Sequence, residues 1–301
     1  MSNALVEPAD RERIVAPTDS VLVGLKRFVT REPAGALAAA IFVLIFALVI
    51  LGPSLVAYDP VKIDLVSKFI PPGGGDHLFG TDQLGRDLLS RVLVGGRISL
   101  GVSLAALVIG VGIGSILGIV AGFLQHWSMQ LLQRLMDGLM SLPALVLALS
   151  IATALGNSAT NVLIAICIVM LPSIFRVIRG ATIAVRYQDY VTAAHALGAS
   201  DMRIMARHIV PNVVGTIVTV ASIWIGNVII IEASLGFLGL GAQPPQPSWG
   251  NMLSGEGRSY MVRAPWMAIV PGVAISLTVL ASNMLGDSLR TFFDPKSRRV
   301  R

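Results

Sequence analysis

Side chains able to do chemistry are sparse in this chain and gather in three places. The first is the stretch GTDQLGRD at 80–87, followed by Arg91. Thr81, Asp82 and Asp87 form a set that can hold a metal or a phosphate. Arg86 and Arg91 are interleaved with those acids, and such spacing favours ion pairs. The second is the stretch RYQDYVTAAHALGASDMRIMARHIVPN at 186–212, polar and rich in small residues. The third is a scatter of Asp137, Glu232, Asp287, Asn227 and Asn283 within or at the ends of apolar runs. An ionisable group in such a run marks a transport path or proton relay by default, but these three acids fall near the run ends, where solvated or paired roles are favoured. Glu232 can face a path or cap the turn after it, and Asn227 and Asn283 can bond between helices or line a path. The four histidines (His77, His126, His195, His208) are dispersed, and Cys167 has neither a disulfide partner nor a metal-ligand companion. No Gly-x-x-x-x-Gly-Lys-Ser/Thr phosphate loop, Gly-x-Ser-x-Gly elbow or His-Glu-x-x-His helix occurs. The chain therefore has no ATPase site of that kind and no sign of a membrane enzyme.

The elements that position these groups must be membrane helices. Hydrophobic residues make up 54% of the 301 and charged residues 13%, and the mean hydropathy is +0.76. A soluble domain carries roughly 25% charged residues, so lipid has to cover the sides. The net charge of +6 does not indicate nucleic acid, because the basic residues lie between apolar runs rather than on one aromatic-laced face. About 20 apolar residues cross the hydrocarbon core. Runs at 36–57, 98–122, 138–155, 161–177, 212–231 and 266–286 qualify. They predict an all-α integral membrane protein with six transmembrane helices. Pro143 and Pro172 predict kinks rather than breaks, since neighbouring helices re-satisfy the freed carbonyls. The first thirty residues lack a cleavable signal pattern.

Lysine and arginine are more frequent in the segments that face inside if both termini are cytoplasmic. On that orientation the gaps at 58–97 and 232–265 lie outside and the gap at 176–211 lies inside. After Gln83, an amphipathic helix with Leu84, Leu88, Leu89, Val92 and Leu93 on one side is expected on the outer surface. His126 and Trp127 suit an inner interface anchor, and Trp249 and Trp266 the outer boundary. Gly110, Gly114, Gly118 and Gly122 recur every four residues. This stripe either lets another helix approach closely or lines a pore.

The inside gap reads as two short helices around a glycine turn. Asp189 can cap the first, Gly198 can supply its left-handed end, and Ser200 or Asp201 can cap the second, which runs to about His208. Pro211 then opens the next span. A small-residue elbow of this kind suits insertion into a groove on another protein.

The same residues resemble the EAA loop of ABC importer permeases. Thr192, Ala193, Ala194, Gly198 and Pro211 stand at the motif positions, with Thr192 in place of the usual Glu. That replacement removes any salt bridge the Glu would make. The stretch HLFGTDQLGRDLLSR (77–91), then GGRISL (95–100), AYDP (57–60), LGFLGLG (235–241) and LGDSLR (285–290), with Asp294 and Pro295 beyond, are similar to the C-type permease of dipeptide, oligopeptide and nickel importers. The likeness runs from about residue 25 onward.

The resemblance implies a multi-pass protein of the bacterial inner membrane, in contact with lipid and without a bound cofactor or nucleic acid. It implies a heterodimer with a second, B-type permease, two cytoplasmic ATP-binding subunits carrying ATP and magnesium, and an extracytoplasmic substrate-binding protein. It implies a tail at 1–24, an N-terminal region at 25–97, a permease core at 98–290 and a basic tail at 291–301. The coupling loop is expected at Tyr190, Thr192, Ala193, Ala194, Ala196, Leu197, Gly198, Ala199, Ser200, Asp201 and Pro211. Dipeptides or oligopeptides lead as substrates, with nickel chelates, glutathione and opines as alternatives. A gradient-driven transporter is disfavoured, because neither inverted repeats nor an intramembrane relay is present.

Overall fold

The computed structural model describes residues 29–30, 32–254 and 259–293. The expected N-terminal tail, Arg258, the Asp294-Pro295 pair and most of the basic C-terminal tail lie outside the described residues. The described helices are α1 (Pro33–Leu55), α2 (Leu88–Leu124), α3 (Trp127–Met140), α4 (Ala144–Leu155), α5 (Ala159–Arg186), α6 (Asp189–Ala196), α7 (Asp201–Phe237), α8 (Trp249–Leu253) and α9 (Trp266–Phe293). Helices α1, α2, α5, α7 and α9 are each long and apolar enough to span a membrane. The pair α3 and α4 passes the same test together, but with a 97° bend.

The glycine stripe of α2 sets the central packing. A Cβ on Gly114 would lie 2.8 Å from Ile174 Cγ2, one on Gly118 3.0 Å from Ile178 Cβ, and one on Gly122 2.7 Å from Thr182 Cβ. Gly110 likewise faces Met170. The four opposing side chains also recur every four residues, and all are fully buried. The stripe is thus a seam between helix backbones, where missing side chains admit the ridge of a neighbour. Residue numbers rise together along the seam, so α2 and α5 run parallel. The chain between them must return through the thickness of the protein, and the bent α3–α4 pair makes that crossing. Six crossings result.

The third crossing differs from its expected form. Pro143 precedes α4, with extended backbone (φ −57°, ψ 132°), and the chain turns at Ser141 and Leu142. The residue before a proline avoids the helical region, and here that preference breaks the helix instead of kinking it. Pro172 is different. It lies within the unbroken α5, which continues to Arg186, well past the expected end near 177.

Helix α2 also begins earlier than expected. Asp87 caps it by accepting from Ser90 N–H at 2.8 Å. The helix expected to start after Gln83 and lead into the second span starts instead at Leu88 and is continuous with that span. Leu84 lies in the preceding turn, while Leu88 and Val92 are buried against Met252, Ala264 and Met267. Near the other end of the bundle, α7 and α9 cross closely. Asn283 lies against Gly226, and Gly286 against the Ser222 carbonyl.

Candidate functional site

The elbow between α5 and α7 is built from local rules. Gln188 starts α6 without a side-chain cap. Asp189 therefore does not cap the helix as expected; it lies in the first turn, where its charge complements the positive helix end. At the other end, Gly198 adopts φ +80°. Its N–H donates to His195 O at 3.0 Å, and Ala199 N–H donates to Ala194 O at 3.1 Å. This pair of bonds closes the helix in a Schellman motif. A Cβ on Gly198 would meet nothing within 4 Å, so glycine is required for its backbone conformation and not for space.

Beyond the turn the expectation of a second short helix needs correction. Ser200 precedes α7 without a side-chain cap bond, and the helix runs through His208 and Pro211 without stopping. Met205–Ile209 is wound as a wider π turn. Pro211 has no N–H to offer the preceding turn, and widening there keeps the helix continuous. Asn212 Nδ2 donates to His208 O at 2.7 Å.

Val191 and Ile204 anchor the elbow at 3% and 0% exposure, and Ala194 and Ala199 pack against the core. The opposite face is open. Leu197 is 88% exposed and Met202 72%. Tyr190, Thr192, Ala193, Ala196, Gly198, Ser200, Asp201 and Pro211 are also exposed. The ion pair on this face, His195 Nε2 to Asp201 Oδ1 at 3.5 Å, joins two exposed side chains and adds little to stability.

Behind α6 lies a cavity of about 280 Å³ lined by Phe123, Leu124, Arg186, Tyr187, Val191, Thr192, His195 and Asp201. The sequence marks Arg186 only as a basic residue of the inside gap. Its position depends on the C-terminal ends of α2 and α5 meeting, which no local pattern reveals.

The polar residues in the spans separate into two kinds. Asn227 and Asn283 are exposed, and Asn227 Nδ2 donates to Ile223 O of its own helix at 3.1 Å. Glu232 is 3% exposed. It receives the Ser99 hydroxyl at 3.2 Å, and Ser99 Oγ in turn accepts from Trp249 N–H at 3.1 Å. This chain of bonds joins α7, α2 and α8. Glu232 thus lies inside the chain's own packing and does not cap the following turn.

The polar end around residues 58–97 is held by ion pairs. Asp82 accepts from Arg86 Nε at 2.6 Å and lies 3.6 Å from Arg91 Nε, all three side chains being buried. Asp87 meets His77 Nδ1 at 3.0 Å. Among the described residues no three His, Cys, Asp or Glu side chains gather as a metal site. Trp249 is packed inside the chain rather than at an interface, and Trp266 is half-buried. Trp249 is 1% exposed and donates to Val92 O at 2.9 Å, while Trp266 donates to Thr81 O at 3.1 Å. Trp127, by contrast, is 67% exposed.

A six-crossing bundle with this elbow can now be set beside known proteins. Residues 114–299 match the family described as binding-protein-dependent transport system inner membrane component. The chain belongs to that family. This inner membrane component is 42% identical over 262 residues to the glutathione transport system permease protein GsiD of Pectobacterium atrosepticum, covering 87% of each chain. It is 41% identical over 266 residues to the probable D,D-dipeptide transport system permease protein DdpC of Escherichia coli strain K12, covering 88% of this chain and 89% of that one. The GsiD protein of Escherichia coli O6:K15:H31 is 44% identical over 262 residues, covering 87% and 86%. The fold is that of a type I ABC importer permease, and the protein is a multi-pass membrane transport component.

Proposed function

We propose that the chain is the permease subunit of an ATP-driven importer of short peptides and that the α6 elbow couples it to ATP-binding subunits. Relatives of nearly equal similarity are named for D,D-dipeptide and for glutathione transport. A small peptide is common to both names, and glutathione, itself a modified tripeptide, is the second substrate reading. The observation that carries the coupling role is the elbow's construction. One face is rooted in the core by Val191 and Ile204, and the other offers small or apolar side chains, with Leu197 foremost. A stable monomer gains nothing from so exposed an apolar tip, whereas a partner's groove would bury it.

On this reading a B-type permease completes the path, and two ATP-binding subunits bind at the elbow and carry ATP and magnesium. An extracytoplasmic protein brings the peptide to the opposite face. Both termini face the cytoplasm on this reading, the orientation that the distribution of basic residues favours. With no Gly-x-x-x-x-Gly-Lys-Ser/Thr phosphate loop in its sequence, the chain on this reading draws its energy from those subunits. Asn227 and Asn283, exposed on adjoining helices, are the residues assigned to the path. ATP-driven movement of the elbow biases the permease pair between inward- and outward-facing states, a two-state element that both sites share.

The test is Gly198→Leu in the co-expressed complex. The left-handed backbone at Gly198 disfavours any L side chain, so the elbow should distort while the spans remain intact. Co-purification of the ATP-binding subunits, or peptide-stimulated ATP hydrolysis, should collapse. Unchanged assembly, hydrolysis and uptake would reduce the elbow to a surface turn.

A further inference from the structure

We propose that the cavity behind α6 receives a carboxylate side chain of the docked ATP-binding subunit, with Arg186 as its ligand. The inference rests on the coupling role of the elbow and adds the chemistry of the contact.

Arg186 ends α5, and its guanidinium lies over two rings. Its central carbon lies 5.6 Å from the Phe123 ring centre and 5.8 Å from that of Tyr187. Such stacking holds the planar fork in one orientation without using its N–H donors. Nη1 is buried and has no hydrogen-bond partner among the described residues. The backbone carbonyls at the ends of α2 and α5 do not satisfy it. Two turns earlier on the same helix face, Arg179 Nε is also buried and unpartnered. The carboxylate in the cavity wall, Asp201, is engaged with His195 at 3.5 Å.

A buried guanidinium nitrogen is stable when hydrogen-bonded and costly when left alone, and Nη1 of the half-buried Arg186 is such a nitrogen. Here the pairing group is missing while space for it, about 280 Å³, is present beside the Nη1 atom's residue. Val191, Thr192 and His195 of α6 form part of the cavity wall, so the cavity is continuous with the proposed docking face. Thr192 brings a hydroxyl and no charge. An Asp or Glu from the docked subunit supplies the missing partner and, through a two-pronged contact with the fork, fixes the angle at which the subunit sits.

The test uses the complete permease pair in nanodiscs of zwitterionic lipid, titrated with the ATP-binding subunit. Arg186→Gln should weaken binding roughly ten- to a hundredfold, the range for losing hydrogen bonds to a charged group, and should flatten its salt dependence. Arg186→Lys, which keeps the charge but not the planar fork, should fall between wild type and Arg186→Gln. Arg186→Glu should be rescued by one Asp or Glu→Arg replacement found by scanning the ATP-binding subunit. Equal thermal stability of wild type and Arg186→Gln keeps misfolding apart from lost contact. Wild-type affinity in Arg186→Gln, with Gly198→Leu still defective, would overturn the carboxylate contact and leave the coupling role standing. Wild-type affinity in both variants would remove both. A defect confined to nanodiscs containing anionic lipid would assign the cavity to a lipid phosphate and overturn the proposal as well.

Discussion

The cap around residues 58–97 and the elbow around 186–212 are both polar interruptions in an apolar chain, yet they are built in opposite ways. In the cap, Asp82 accepts from Leu84 N–H, Arg86 N–H and Arg86 Nε at 2.9, 2.9 and 2.6 Å. Asp87 accepts from the backbone and hydroxyl of Ser90 at 2.8 and 2.7 Å. Two tryptophan N–H groups complete the fastening. The elbow has a 3.5 Å pair between exposed side chains, an exposed leucine and a buried arginine nitrogen without a partner. A region that satisfies its charged groups internally serves the fold of its own chain. A region that leaves them open has its complement elsewhere. Substitutions in the cap should therefore cost stability, and substitutions in the elbow should cost assembly.

The largest effect is expected from Asp82→Ala. It leaves the Arg86 and Arg91 guanidinium groups buried without their shared carboxylate, and breaking a buried pair from one side costs about 3–5 kcal/mol. Thermal unfolding of the purified permease pair should show the loss, and a near-wild-type melting temperature would break the contrast. Gly114→Leu comes next. Its Cβ alone would lie 2.8 Å from Ile174, and overpacking typically costs about 1–3 kcal/mol. Reduced yield of the assembled pair is the expected readout.

Leu197→Ser sharpens the comparison from the other side. Exposed substitutions stay within about 0.5 kcal/mol, so the melting temperature should hold while the affinity of the ATP-binding subunits falls. The smallest effect concerns Asp64. The Ser67 hydroxyl (2.7 Å) and the Val66 N–H (3.1 Å) hold its carboxyl below the usual value of 3.8. A depressed carboxylate contributes its stability above the unfolded-state value and loses it as pH falls through the folded one. Asp64→Ala should therefore melt slightly below wild type at neutral pH, and the difference should vanish as pH falls below about 4.

The parts of this molecule legible in its sequence are those governed by neighbours along the chain. The apolar runs gave the spans, and the Ala-Leu-Gly sequence at 196–198 gave the Schellman end of α6, because 198 needs only a local left-handed turn. The bend at Pro143 was marked by the proline itself, but hydropathy averages across a break as readily as across a kink. The burial of Leu88 and Trp249 and the bond from Trp266 to Thr81 were hidden, since they arise from segments more than 150 positions apart folding over one another, as in the bond from Trp249 to Val92. The confinement of Arg186 was hidden for the same reason: Phe123 reaches it only through the α2–α5 seam.

The elbow's coupling role requires that a partner cover it in the working complex. The direct measurement is labelling of Leu197→Cys by a membrane-impermeant maleimide, in a background where the buried Cys167 is replaced by Ala. Inverted vesicles would carry the permease pair with and without its ATP-binding subunits. Rapid labelling that is suppressed when those subunits are bound is the expected result. Labelling at the same rate with and without them would contradict the assignment of this elbow as the coupling surface.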